Sequence, residues 1–235
     1  MAPSDYVFNR DYLDNNRINL QHYLWREIFG YLIHPSIPTG APDLKIADVG
    51  TGTGIWLTEL ADRLPSAQLD GLDVSFDALP PCKWLPQNVR RLHWDVTHDV
   101  PPELEGQYDL VHIRLFAFVL LNDDLPGVLE RLAKLLKPGG YLQWDEPDIA
   151  SFRIETTDST ISTEALKQLV ERMQPQDVRF SPTWIARLPD LFKNAGFECV
   201  QYDVREAKPW LALAMHEDNL MIHEVIAAKS KDAAF

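Results

Sequence analysis

Cysteine is almost absent: the 235 residues contain two, Cys82 and Cys199. Two thiolates cannot close a tetrahedral metal site alone, and this spacing matches no zinc pattern. The pair reads as ordinary thiols in a reducing compartment, with no metal expected. Long apolar runs are missing too. The longest, Leu115 to Leu121, is far too short to span a bilayer. The segment Met1-Ala-Pro-Ser-Asp5 is polar, so no secretory signal is expected. Positive charge is also scarce, with 22 Lys and Arg against 35 Asp and Glu, a net charge of −13. An acidic surface without a basic run repels phosphate backbones. These absences argue against membrane and nucleic acid as partners. They lead us to expect a soluble, cytoplasmic or nuclear protein. With 46% hydrophobic and 24% charged residues, the chain can bury one sizeable core.

Apolar residues Leu20, Tyr23, Leu24, Ile28 and Leu32 recur at helical spacing, so a helix is expected within Tyr6 to Ile33. A Pro-rich loop, His34 to Pro42, follows it. Strands are expected at Leu44–Val49, Gln68–Val74, Val89–Trp94, Tyr108–Ile113, Tyr141–Trp144 and Phe197–Val204. Helices are expected at Trp56–Leu64, Leu125–Leu136, Ser162–Met173, Thr183–Ala195 and Trp210–Ala228, then a frayed tail over residues 229–235. Alternating strands and helices imply crossover units and a parallel sheet, an α/β fold with helices on both faces. Three segments are expected: a helical cap (1–40), a Rossmann-like core (41–205) and a terminal helix with its tail (206–235).

The strongest local signal is Asp48-Val-Gly-Thr-Gly-Thr-Gly54, between the first strand and its helix. Glycines let a backbone turn tightly and approach a ligand closely, and the helix beyond adds N–H donors. A dinucleotide fingerprint needs a third glycine three residues after the second, but Ile55 or Leu57 stands there. A P-loop needs Gly-Lys-Ser/Thr, but Ile-Trp follows Gly54. An acid followed by Gly-x-Gly-x-Gly suits S-adenosylmethionine (SAM), which carries no phosphate. Asp73 lies 23 residues after Gly50, and Asp95 lies 22 further on, each at the end of an expected strand. A carboxylate at Asp73 suits the two ribose hydroxyls. Asp95 suits an adenine amino group, with the Val96 N–H beside it. Each acid alone also fits a strand-end turn residue.

At these residues the chain resembles the class I SAM-dependent methyltransferases. The likeness continues through Tyr108-Asp-Leu-Val-His-Ile-Arg114 and Leu136-Lys-Pro-Gly-Gly-Tyr-Leu-Gln143. With Asn19-Leu-Gln-His-Tyr-Leu-Trp25 and Leu32-Ile-His-Pro-Ser-Ile37, it is similar to the fungal secondary-metabolite group, LaeA-like and gliotoxin N-methyltransferase-like. The resemblance implies a Rossmann-like sheet under an N-terminal helical lid. It also implies SAM as cofactor, S-adenosylhomocysteine as product, and a natural-product acceptor. Asp48, Gly50, Thr51, Gly52, Asp73, Val74, Asp95, Val96 and Arg114 would then line the cofactor site, with Tyr23 closing over the methionine end. Tyr23 fits a core stripe equally well. The family's seventh strand has no counterpart after Val204. The sheet edge would then be covered by the last helix, a second copy or a partner subunit. That difference leaves room for a regulatory or scaffold subunit, or for an enzyme that keeps its SAM through a rearrangement.

Catalytic candidates are His22, beside Tyr23, as a base, and Glu146, after the fifth strand, as a contact to the acceptor. Each has a bland alternative, as a packed helix residue and a turn acid. His112, inside a strand, reads as a satisfied core histidine, and His34 as a loop residue.

Overall fold

A computed structural model describes residues 8, 10–173, 179 and 182–232. Helix α1 spans Tyr12–Phe29. It begins there because the Asp11 side chain accepts from Leu13 and Asp14 N–H at 2.9 and 3.0 Å. It stops at Gly30, which takes a left-handed φ of 77° and returns its N–H to the Arg26 carbonyl. The expected helix was therefore too long at its end, and residues 6, 7 and 9 lie outside the described ones.

Five strands follow: β1 (Lys45–Val49), β2 (Gln68–Asp73), β3 (Val89–His93), β4 (Tyr108–Arg114) and β5 (Leu136–Asp145). They form one sheet in the order β3-β2-β1-β4-β5. β1 runs parallel to β2 and β4, and β2 parallel to β3. The connecting helices are α2 (Ile55–Arg63), after β1, and α3 (Leu125–Leu135), after β4. The chain steps one way from β1 to β3 and the other way from β4 to β5. Right-handed crossovers then put α2 and α3 on opposite faces. The order reverses between β1 and β4, and ligands of open α/β sheets bind at the carboxyl edge beside such a reversal.

One face shows the strand alternation clearly. Ile46 and Leu110 are register partners and are buried with Trp56, Leu57 and Leu60 of α2. Two residues on, Asp48 and His112 are partners in the same register.

Several boundaries differ from expectation. β5 starts at Leu136, so Lys137–Gly140 belongs to the strand, with Gly139 at φ 79°. The segment expected as helix from Thr183 is a 3-10 turn, Ile185–Arg187, and then α5 (Leu188–Asn194), with Pro189 in its first turn. Helix α4 is Glu164–Met173. Phe197–Val204 is not a strand: Cys199 takes a φ of 53°, and Tyr202 and Val204 are 65% and 62% exposed, so no apolar face is buried to hold a pleat. The last helix, α6, spans Ala212–Asp232, beyond the expected frayed start at residue 229, and residues 233–235 lie outside the described ones.

The chain gathers into two compact units. The first holds Met1–Ile113, Arg131–Trp144 and Asp203–Phe235. The terminal helices thus belong with the sheet: α1 packs on α6, and Gln21 donates to Asp218 at 2.9 Å. The second unit holds Arg114–Glu130 and Asp145–Tyr202. Trp184, Ile185 and Leu188 are buried within it, and Asn122 donates to Thr183 at 3.3 Å. No described helix is long and apolar enough to cross a membrane.

Candidate cofactor site

Gly50, Gly52 and Gly54 take φ values of 68°, 55° and 72°. Residues with a Cβ avoid that left-handed region, so the turn depends on glycine three times over. Backbone bonds fasten it to the neighbouring strand: Gly50 N–H donates to Leu72 O at 2.8 Å, and Gly54 N–H closes onto Thr51 O at 2.9 Å. Thr51 is buried, and among the described residues its hydroxyl oxygen has no hydrogen-bond partner. Its methyl lies against Gly71 of β2, where an added Cβ would come within 2.9 Å of it. Gly71 therefore makes room for the turn.

Asp73, the last residue of β2, braces the turn. Gly52 N–H donates to its Oδ2 at 2.9 Å and Ser75 N–H to its Oδ1 at 3.1 Å. Burial pushes the Asp73 carboxyl above its ordinary range, against the pull of those backbone bonds and the Arg10 charge. Val74 follows, with 41% of its surface exposed.

Asp95 stands two residues beyond the end of β3. It accepts from Thr97 N–H at 2.8 Å and Thr97 Oγ1 at 2.7 Å, and His98 lies 3.2 Å from its other oxygen. Burial presses its carboxyl upward, but the Thr97 bonds outweigh that and hold it below the usual range. These are the bonds of a strand-end turn residue, its alternative reading. Val96 beside it is buried.

Asp48 behaves differently from the ligand-facing acid expected of it. Its Oδ1 lies 2.7 Å from His112 Nδ1, both residues are buried, and the His112 ring stacks on Trp56 with centroids 3.9 Å apart. The carboxylate points along the α2 face, one register step below the turn, because alternation puts it on the Ile46 side. Asp48 supports the sheet beneath the turn.

The two catalytic candidates are also engaged. His22 is fully buried, with Nε2 2.7 Å from Glu59 of α2. Glu59 also takes Arg26 at 2.9 Å and a contact from Arg63. A base must reach its proton, and a ring sealed against a helix does not, so the geometry gives His22 a packing role. In the second unit, Glu146 accepts Phe116 N–H at 2.7 Å and Ala117 N–H at 3.1 Å. These bonds clamp a turn whose preceding residue, Leu115, sits at φ 63°. Arg114 ends β4 and opens that unit. Tyr23 is 52% exposed, with the Arg26 guanidinium over its ring. His34 sits in its loop, with Nδ1 2.7 Å from Ser36 Oγ.

The sequence reading missed the helix residues that touch the turn. Ile18 lies against Gly52, and Asn19 Oδ1 accepts the Thr53 hydroxyl at 2.7 Å. The available signal was phase: Asn15, Asn19, His22 and Arg26 share one helical stripe with Ile18, mostly polar where a plain core stripe would be apolar.

The methyltransferase domain family matches residues 46–140. N-methyltransferase gliN of Aspergillus fumigatus is 30% identical over 206 residues, covering 87% of this chain and 72% of that protein. Methyltransferase grgD of a Penicillium species is 42% identical over 144 residues, covering 58% of this chain and 48% of that one. N-methyltransferase sirN of Leptosphaeria maculans is 34% identical over 178 residues, covering 74% and 60%. The chain thus spans between 48% and 72% of the length of these relatives. Among solved structures, a chain of the complex between the Haloferax volcanii Trm112 methyltransferase activator and a methyltransferase superposes with a TM-score of 0.55, at 20% identity, covering 83% of this chain and 78% of that one. Phosphoethanolamine N-methyltransferase 2 of Haemonchus contortus, solved with SAM, gives 0.52 at 17% identity, covering 88% and 42%. These two share the fold. A match over 87% of the chain necessarily includes the glycine turn and all five strands, and on that evidence the chain belongs to the class I SAM-dependent methyltransferases of the fungal secondary-metabolite type.

Proposed function

We propose that the chain binds SAM at the Gly50–Gly54 turn and transfers its methyl group to a small natural-product acceptor. The observation that carries this reading is the braced turn: three left-handed glycines at the carboxyl end of β1, with Gly52 N–H held on the Asp73 carboxylate. Gly50, Thr51 and Gly52 offer backbone and a buried hydroxyl without a hydrogen-bond partner among the described residues. Asp73 retains acceptor capacity for ribose hydroxyls, Val74 offers exposed apolar surface for the adenine ring, and Asp95 and Val96 flank it. Asp48, Tyr23 and Arg114 enter this reading by family resemblance alone.

When bound, SAM supplies the activated methyl group. The chain's own share is to hold its turn rigid, orient the acceptor and exclude water. His22 and Glu146 are tied up in structural bonds. This favours an acceptor that needs no general base, such as an amine, and gliN and sirN are named N-methyltransferases. The net charge of −13 supports a small-molecule acceptor over nucleic acid.

Calorimetry with SAM and S-adenosylhomocysteine tests the binding claim, and saturable one-to-one binding is expected. Mass spectrometry of amine acceptors incubated with protein and SAM should then show the gain of one methyl group. Binding without any methylated product would favour the regulatory alternative, and lack of binding to either ligand would reject the reading.

A further inference from the structure

The turn contains two side chains between its glycines, Thr51 and Thr53, and each is anchored to a different element. Thr51 packs inward on Gly71 of β2. Thr53 is 8% exposed and donates its hydroxyl outward to Asn19 Oδ1 on α1, at 2.7 Å. Thr53 sits between Gly52 and Gly54, both at left-handed φ. A backbone with glycine at alternate positions has many other conformations to visit, so the side chain between them fixes the stretch that carries the Gly52 N–H. The acceptor is itself held in place. One turn along α1, His22 is bonded to Glu59 of α2, and Gln21 donates to Asp218 of α6. Ile18, next to Asn19, lies against Gly52, 3.8 Å from where its Cβ would stand.

We infer that Asn19 is a positioning residue for the cofactor turn: its Oδ1 holds the Thr53 hydroxyl and so presets the Gly50–Gly54 backbone for the ligand. The inference rests on the reading that this turn binds SAM. A turn set before binding loses less freedom when the ligand arrives, so the bond raises affinity without touching the ligand.

The test is calorimetric SAM affinity of the full chain and four variants: Asn19→Leu, Asn19→Asp, Thr53→Val, and Asn19→Leu combined with Thr53→Val. Asn19→Leu leaves a buried hydroxyl unpaired and should weaken SAM about tenfold. Asn19→Asp keeps an acceptor oxygen and should recover most of that loss, which a purely steric role would not allow. In the Thr53→Val background, Asn19→Leu should add little, since the shared bond is already gone. Wild-type affinity in Asn19→Leu, equal loss in the Leu and Asp variants, or additive losses in the double variant would each overturn the inference while SAM binding by the wild type stands. A wild type that binds no SAM would sink the parent reading, and this inference with it.

Discussion

Replacing Asp73 by alanine removes two functions from one carboxylate. It takes away the acceptor of Gly52 N–H at 2.9 Å and of Ser75 N–H at 3.1 Å. It also takes away the lone pairs assigned to the ribose. Hydrogen bonds to a charged acceptor contribute about 1.5–3 kcal/mol each, but Asp73 is partly exposed and water replaces some of the loss. The expected penalty on SAM binding is therefore about 1–3 kcal/mol, or roughly 5- to 150-fold in Kd. Calorimetry at neutral pH reads the affinity, and thermal unfolding without ligand reads the bracing. Asp73→Asn separates the two, because its amide keeps one acceptor for Gly52 while losing the charge, so an intermediate Kd is expected. Acidity provides a second check. Burial raises the Asp73 pKa, and the ionised form is the better acceptor for two hydroxyls. SAM affinity should therefore fall as pH drops through that raised pKa, and the fall should vanish in Asp73→Asn. An Asp73→Ala protein that binds SAM with unchanged Kd, even if less stable, would refute the ribose assignment and leave Asp73 only its bracing role.

Gly71→Ala would place a Cβ 2.9 Å from the Thr51 methyl and 3.0 Å from Leu57. Overpacking of this kind should cost about 1–3 kcal/mol of stability in a denaturant titration. Asp218, buried on α6, has its carboxyl pushed up to about 6 from an ordinary 3.8, by burial first, against the Gln21 bond and the Arg17 charge. A carboxyl raised in the folded state favours folding while protonated, so stability should be highest below pH 4 for this group and decline as pH rises to about 6. The full change is about 3 kcal/mol at most, and Asp218→Asn should abolish it and raise the melting temperature at pH 7. Glu146→Gln would turn an amide N–H₂ toward the Phe116 or Ala117 N–H and should lower the unfolding free energy by about 1–3 kcal/mol. Loss of turnover with unchanged stability would instead restore its role as a contact to the acceptor.

Much of the fold was legible because its signals are local. The alternation around Ile46 and Leu110, the glycine turn, and the acids ending β2 and following β3 all lie within short stretches of chain. Strand pairing then carried those acids to one edge of the sheet, as their spacing implied. What the sequence concealed was partnership across distance. Asp48 reads as a ligand-facing acid until β4 brings His112 into register beside it. His22 reads as a base until α2 sets Glu59 against it. Glu146 reads as a substrate contact until the turn at Leu115 presents two N–H groups to it. A lone polar residue carries no mark of the partner that will satisfy it. The segment at Phe197 failed for a related reason: its apolar residues suggest a strand, but nothing in the local pattern says whether another strand will be there to pair with it.

In the proposed function, the Gly50–Gly54 backbone, braced on Asp73, receives the adenosyl ligand. Amide NMR spectra of the labelled full chain, recorded while S-adenosylhomocysteine is titrated in, test this most directly. Saturable shifts should concentrate at Gly50, Thr51, Gly52 and Ser75, whose N–H groups form or border the turn. Saturating ligand that leaves those four amides unmoved, or that moves a separate cluster instead, would contradict the account.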